Sequence, residues 1–272
     1  MVILHISALS QNKSSGLFYA IPPLIYYQNK KENVKAALLN TSSKDIPMLK
    51  YFDLTIFKYN EKDIKSDLSG LPKPFNKPDL VIFHNTYIPV HMKIANHLKK
   101  RNIPYIIVPH GGMTKGAQSM KKFKKKLANI LFYNKFVKNS LALHCLSEGE
   151  YNETKFWNKK IFIVGNGMSL PKEFKDWDKK QNNFIQFTFI GRLDIYHKGL
   201  DLLLDGIAKS AKNIRKNQCR FDIYGPDCSG SKKVIEKFII DYKIQDIVKL
   251  HEPVFDDAKY EILKNTDVFV HT

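Results

Sequence analysis

Short runs of β-branched and aromatic residues alternate with longer helical stretches along the chain, and this alternation is the tightest constraint on the fold. The runs read as strands at residues 2–6, 34–39, 80–84, 105–109, 141–146 and 161–164. Helices are predicted between them at 17–29, 90–101, 119–137 and 148–156. Strands and helices at this spacing imply βαβ units and a parallel sheet. A polar stretch at 171–183 reads as a linker, and a second series follows it. Its strands are predicted at 184–190, 220–224, 247–250 and 268–271, and its helices at 199–212, 232–241 and 256–265. The expected architecture is α/β: two tandem doubly wound domains, 1–170 and 184–272, with the active site in the cleft between them. The run at 268–271 reads as a buried parallel strand with the chain stopping at its carboxyl end. A domain of roughly 90 residues is smaller than usual, so the second is expected to be incomplete.

Composition supports a packed core. Of 272 residues, 43% are hydrophobic and 12% aromatic, which excludes a disordered chain. With 13 Gly and 12 Pro, a collagen-like or mucin-like chain is excluded as well. No uncharged apolar run approaches the roughly 18 residues of a membrane span, and residues 2–6 are too short for a signal peptide. Cys145, Cys219 and Cys228 include no Cys-x-x-Cys pair, arguing against a disulfide framework or structural zinc. A soluble chain of a reducing compartment is expected.

The formal charge of +18 is unevenly placed. Residues 1–170 hold 26 Lys/Arg against 10 Asp/Glu, whereas 171–272 hold 18 against 16. From Leu80 to Ser147 there are 12 basic residues and no acidic one. Such an asymmetry points to an anionic partner: nucleic acid, an anionic membrane surface or an acidic substrate. The densest cluster is Lys121, Lys122, Lys124, Lys125 and Lys126. Met120, Phe123, Leu127, Ile130 and Leu131 form one helical stripe that these lysines flank. In one reading the stripe packs on the core and the lysines are merely solvated. In the other the lysines face anionic lipid, at about 1 kcal/mol each near the surface. A nucleic-acid partner rests on lysines alone, since no RNP signature, zinc finger or KH loop accompanies them.

The strongest local signal lies at 189–208. A strand ends at Gly191, a loop presents Arg192 and Lys198, and a helix is predicted to begin at Gly199. Two cations and a helix N-terminus at one strand end suit a phosphate group: Arg binds with two parallel hydrogen bonds and Lys adds a mobile charge. The alternative is a βα loop with solvated cations. No Gly-x-Gly-x-x-Gly follows the first strand, which disfavours a dinucleotide-dependent dehydrogenase.

The wording of this segment, Gly-Arg-Leu-Asp followed by Lys-Gly-Leu-Asp-Leu-Leu-Leu, resembles the donor loop of the family 4 retaining glycosyltransferases of GT-B fold. Further segments match in order. Val108-Pro109-His110-Gly111-Gly112-Met113 resembles the family's Pro-His-Gly segment, and residues 142–150 its strand followed by Ser-x-x-Glu. Val164-Gly165-Asn166-Gly167-Met168 is similar to the Asn-Gly turn before the linker. Residues 258–272 resemble the helix, Ala-Asp and strand leading to the donor-sugar loop.

The resemblance implies transfer of a hexose from a UDP- or GDP-sugar to a saccharide, or lipid-linked saccharide, in cell-surface polysaccharide assembly. Configuration would be retained. Arg192 and Lys198 would hold the donor diphosphate and stabilise the charge on the leaving nucleotide, with no metal or other cofactor needed. His110 would be the catalytic residue, contacting the donor sugar, with Gly111 and Gly112 beside it in the acceptor cleft. Gly16 would let backbone approach the donor phosphates or the acceptor, an ordinary turn being the alternative, and Gly191 and Gly225 would border the nucleotide. The other histidines (His5, His84, His91, His97, His144, His197, His251 and His271) lack metal-ligand spacing, and most of them read as structural. Family members continue with a Ser-x-x-Glu-Gly loop and a Glu-x7-Glu pair, which cannot be placed before Thr272. A truncated, inactive remnant, or one chain of a two-chain enzyme, is therefore an alternative expectation; a basic nucleic-acid binder is the remote one. A cytoplasmic protein, peripheral at the inner face of the membrane, is expected.

Overall fold

The computed structural model describes residues 1–10, 15–42, 53–158, 160–168 and 183–272. All of the predicted linker except Asn183 lies outside the described residues. The chain divides into two compact units, Met1–Met168 and Ser169–Thr272.

In the first unit, β1 (Val2–Ser7), β2 (Lys35–Asn40), β3 (Ile56–Lys58), β4 (Leu80–His84), β5 (Tyr105–Val108), β6 (Ala142–Cys145) and β7 (Ile161–Ile163) form a sheet of order β3-β2-β1-β4-β5-β6-β7. The described pairings in this sheet are parallel. Strand order reverses between β1 and β4, so their carboxyl ends flank the crevice where such sheets take ligands. Because side chains alternate, the two sheet faces carry separate cores. Leu4, Ile6, Val81, Phe83 and Ile107 pack with Ile94 and Leu98 of α2 (Pro89–Lys100). Ile3, Ile82 and Ile106 pack with Ile21 and Ile25 of α1 (Gly16–Asn29). α2 starts on a proline, whose missing N–H costs nothing there, and ends on His97, Lys99 and Lys100, which suit the negative helix end. The short, largely exposed strand β3 is an addition to the predicted set.

The helix expected at 119–137 is broken into several pieces. These are α3 (Lys115–Ser119), α4 (Lys122–Ala128), a π-helical turn (Asn129–Tyr133) and α5 (Asn134–Lys138). Lys121 interrupts it with φ 54°. The expectation that its apolar stripe packs on the core is overturned, since Met120, Phe123, Leu127, Ile130 and Leu131 are all exposed, Phe123 at 88%. Burial begins only at Tyr133, Phe136 and Val137. The π turn inserts a residue and changes the face that the following turn presents. The last helix of this unit is α6 (Glu148–Thr154).

The second unit holds β8 (Ile185–Ile190), β9 (Cys219–Tyr224), β10 (Val248–His251) and β11 (Val268–Phe269) in parallel order β10-β9-β8-β11. Its order reverses between β8 and β11, which places the end of β8 at the switch point. The helix expected at 199–212 is α8 (Leu200–Lys209) and α9 (Ala211–Lys216), preceded by one helical turn, α7 (Ile195–Lys198). Leu200, Leu204 and Ile207 share a core with Ile223, Val248 and with Ile235 and Ile239 of α10 (Ser231–Asp241). α11 (Asp256–Lys264) precedes β11. β11 is not the buried strand expected: Val268 and Phe269 are exposed on the edge of the sheet.

Candidate functional site

In the first unit the predicted residues gather at the carboxyl edge of the sheet. After β5 the chain turns through two left-handed residues, His110 at φ 50° and Gly111 at φ 75°, closed by a Gly112 N–H to Pro109 carbonyl bond of 3.0 Å. A histidine pays steric strain for that conformation, so the surroundings must hold it. Glu150 does so. Its buried carboxylate accepts the Gly111 N–H at 2.6 Å and the Leu146 N–H at 2.7 Å, joining the loops after β5 and β6. Ser147 caps α6 by accepting the Glu150 N–H at 3.1 Å, which orients that carboxylate. A Cβ on Gly111 or Gly16 would meet nothing within 4 Å, so space is open beside the turn and at the start of α1.

Behind His110 stand two histidines to which the sequence assigns no site role. His110 Nε2 lies 3.0 Å from His84 Nδ1, and His84 Nε2 lies 2.9 Å from His5 Nδ1. His5 Nε2 is 2.7 Å from Gln28 Oε1 on α1. His5 and His84 are buried. Burial lowers the His5 pKa to about 4, partly offset by the Gln28 bond, and lowers that of His110 to about 4, helped by His144. His84 is held well below the ordinary range, first by burial and then by the neighbouring histidines. All three rings are neutral near pH 7.

Of the lysines, Lys121, Lys122, Lys124 and Lys126 are exposed around the apolar stripe. Lys125 is a correction: its ammonium turns back 5.2 Å over the Tyr87 ring and donates to the Ala117 carbonyl, so it does not share the exposed face. Tyr87 also bonds Asn129 of the π turn at 2.8 Å and Gln118 of α3 at 3.0 Å, tying this segment down.

In the second unit Gly191 directly follows β8, and Arg192 projects exposed from the switch point. Among the described residues its guanidinium has no hydrogen bond or ion pair. Lys198 is one helical turn further on, at the end of α7, and its ammonium is likewise unpaired among the described residues. Gly199 does not begin the helix as expected; at φ 54° it is the left-handed joint between α7 and α8. Asp194, which the motif reading left without a role, caps α7 through the His197 N–H at 3.1 Å and bonds the His197 ring at 3.0 Å. Burial alone would raise its pKa, yet these bonds hold the carboxyl below its ordinary value. Gly225 has a structural reason: a Cβ there would stand 1.7 Å from the Gly191 carbonyl oxygen. The ends of β8 and β9 thus approach too closely for any side chain. Leu193 N–H bonds the Pro226 carbonyl at 2.9 Å and fixes the path of the Arg192 loop. Among the described residues no group of three His, Cys, Asp or Glu is placed to hold a metal ion, and no helix is long and apolar enough to cross a membrane.

Residues 171–272 match the family of glycosyl transferases group 1. The whole chain is similar in structure to the lipopolysaccharide outer core galactosyltransferase WaaB, with TM-score 0.65 and 17% identity, covering 100% of this chain and 74% of that one. Anabaena Alr3699/HepE in complex with UDP is matched at TM-score 0.68 and 14% identity, over 100% of this chain and 74% of that one. A glycosyltransferase from Rickettsia africae ESF-5 gives TM-score 0.68 and 15% identity, over 99% and 72%. No curated protein matches the sequence. The fold is therefore GT-B, and the family match falls within its second unit.

Proposed function

We propose that the protein is a retaining hexosyltransferase of the family 4 type. It takes a UDP- or GDP-sugar as donor and a saccharide, in particular a lipid-linked one, as acceptor in cell-surface polysaccharide assembly. The observation carrying this reading is the family match over 171–272, the stretch that holds Arg192 and Lys198. Fold alone would not suffice, because the UDP-GlcNAc 2-epimerase of Methanocaldococcus jannaschii also resembles the chain, at TM-score 0.60 and 15% identity.

The chemistry follows from charge. As the bond between the sugar's anomeric carbon and the donor phosphate breaks, its electron pair goes to the phosphate oxygen and the nucleotide leaves with an extra negative charge. Arg192 and Lys198, unpaired among the described residues and set at a strand end and a helical turn, stabilise that charge without a metal ion. His110, neutral in its strained turn, makes a hydrogen bond with a saccharide hydroxyl, and Gly111 leaves room for the sugar beside it. The structures of HepE in complex with UDP and with UDP-glucose support a uridine nucleotide as the first to try. Exposed Phe123, Leu127, Ile130 and Leu131, ringed by four lysines, suit docking on the anionic inner face of a membrane.

UDP and GDP binding tests the donor site. One nucleotide should raise the thermal midpoint of the wild-type protein, and Arg192→Ala should abolish that shift. An unchanged shift in the variant would remove Arg192 from the phosphate site.

A further inference from the structure

We propose that Gln28, His5 and His84 form a relay that fixes which ring nitrogen of His110 carries the proton, leaving His110 Nδ1 as a ready acceptor for a saccharide hydroxyl. The inference deepens the glycosyl-transfer reading and rests on it for the identity of the ligand. The geometry itself does not depend on that reading.

A neutral imidazole has one N–H donor and one lone-pair acceptor, on different nitrogens. Three rings bonded in series must therefore adopt the same tautomer, since a ring of the opposite sense would set two donors or two lone pairs against each other. The separations of 2.9 Å and 3.0 Å are hydrogen-bond lengths, so both links are made. The far end sets the sense. Gln28 Oε1 is an acceptor, so the His5 Nε2–H donates to it at 2.7 Å. His5 Nδ1 then accepts from the His84 Nε2–H, and His84 Nδ1 accepts from the His110 Nε2–H. At His110 the remaining lone pair is on Nδ1, which has no partner among the described residues.

The placement is that of a device serving the sheet edge. His5 on β1 and His84 on β4 come from the two strands that flank the switch point, and His110 follows β5. The surrounding core on this face is aliphatic, including Ile3, Ile82 and Leu38. An aliphatic pair at these positions would avoid placing polar rings there, and would leave the His110 tautomer free. Burial keeps the relay neutral, so His110 offers a lone pair rather than a cation to the sugar. His144, the other ring whose charge bears on His84 and His110, bonds its Nε2 to the Val164 carbonyl at 2.8 Å and stays outside the series. His5 and His84 are positioning residues in this scheme, and Gln28 is its anchor on the half-buried end of α1.

The test is ring-nitrogen NMR on the uniformly ¹⁵N-labelled full chain near pH 7, with Gln28→Leu and Gln28→Glu beside the wild type. The wild type should show His5, His84 and His110 neutral and all protonated on Nε2. Gln28→Leu, at a half-exposed helix position, should fold and return His110 to a mixture of both tautomers, whereas Gln28→Glu should restore the single form. In transfer assays Gln28→Leu should raise the saccharide KM about five-fold, the worth of one ordinary hydrogen bond, with kcat less affected. His110 and His84 in opposite tautomers in the wild type would overturn the relay, as would a single unaltered His110 tautomer in Gln28→Leu. If Gln28→Leu does not fold, the wild-type spectrum alone decides. Tautomers as stated without any sugar transfer would sink the functional reading and leave the relay standing; transfer with a tautomer indifferent to Gln28 would do the reverse.

Discussion

At the scale of single residues, the first unit keeps several neutral histidines where water cannot reach them. His5, with a folded pKa near 4 against an ordinary 6.5, gives the clearest consequence. As pH falls below 6.5 the unfolded chain takes up this proton before the folded one does. The stabilisation is thus complete above 6.5 and drains away toward pH 4, amounting to about 3 kcal/mol for His5 alone. Urea unfolding of the first unit at pH 7, 6, 5 and 4 should show this decline, and a flat profile would mean that these rings are not buried neutral. His110 and Arg192 were visible in the sequence because each sits in a short motif. His5 and His84 were not, because their meeting depends on strands 79 residues apart in the chain lying side by side. Glu150 was visible as a letter of a motif but not as the group that pins Gly111.

At the scale of elements, glycines separate structural need from ligand space. Gly225→Ala would drive a methyl into the Gly191 carbonyl and should part β8 from β9, costing about 3 kcal/mol or more and leaving the second unit poorly folded. Gly16→Ala meets open space and should leave the thermal midpoint within a degree or two. Equal behaviour of the two variants in a melting experiment would contradict the close approach of β8 and β9. The strands were legible because apolar runs are short and bounded. The break of 119–137 was not, since nothing in a 3.6-residue pattern announces the left-handed Lys121 or a π turn. That same segment leaves Phe123, Leu127, Ile130 and Leu131 exposed, so vesicle binding should need both its charge and its apolar side chains. Replacing Lys121, Lys122, Lys124 and Lys126 with Gln, or Phe123 and Leu127 with Ser, should each weaken sedimentation with phosphatidylglycerol vesicles, while Lys125→Gln should matter least. Equal loss from Lys125→Gln would show that its tether to Tyr87 is not maintained.

At the scale of the whole molecule, alternation of strand and helix was enough to read two parallel α/β units, since parallel neighbours require crossovers. The burial of the last strand was misjudged because an apolar run does not say whether a neighbouring layer covers it; β11 lies on an open edge. The proposed function rests on the ordered motifs, because a galactosyltransferase and an epimerase both resemble this fold. What supports the transferase reading is the family match within the second unit, together with Arg192 after β8 and Lys198 at the end of α7, neither paired among the described residues. The most direct measurement is transfer of labelled hexose from UDP- and GDP-sugars to the saccharide fraction of membranes from the source cells, with EDTA present. A retaining, metal-independent transferase gives incorporation in the same anomeric configuration as the donor, undiminished by EDTA and lost in Arg192→Ala. No incorporation from either class of donor, or incorporation that EDTA abolishes, would contradict it.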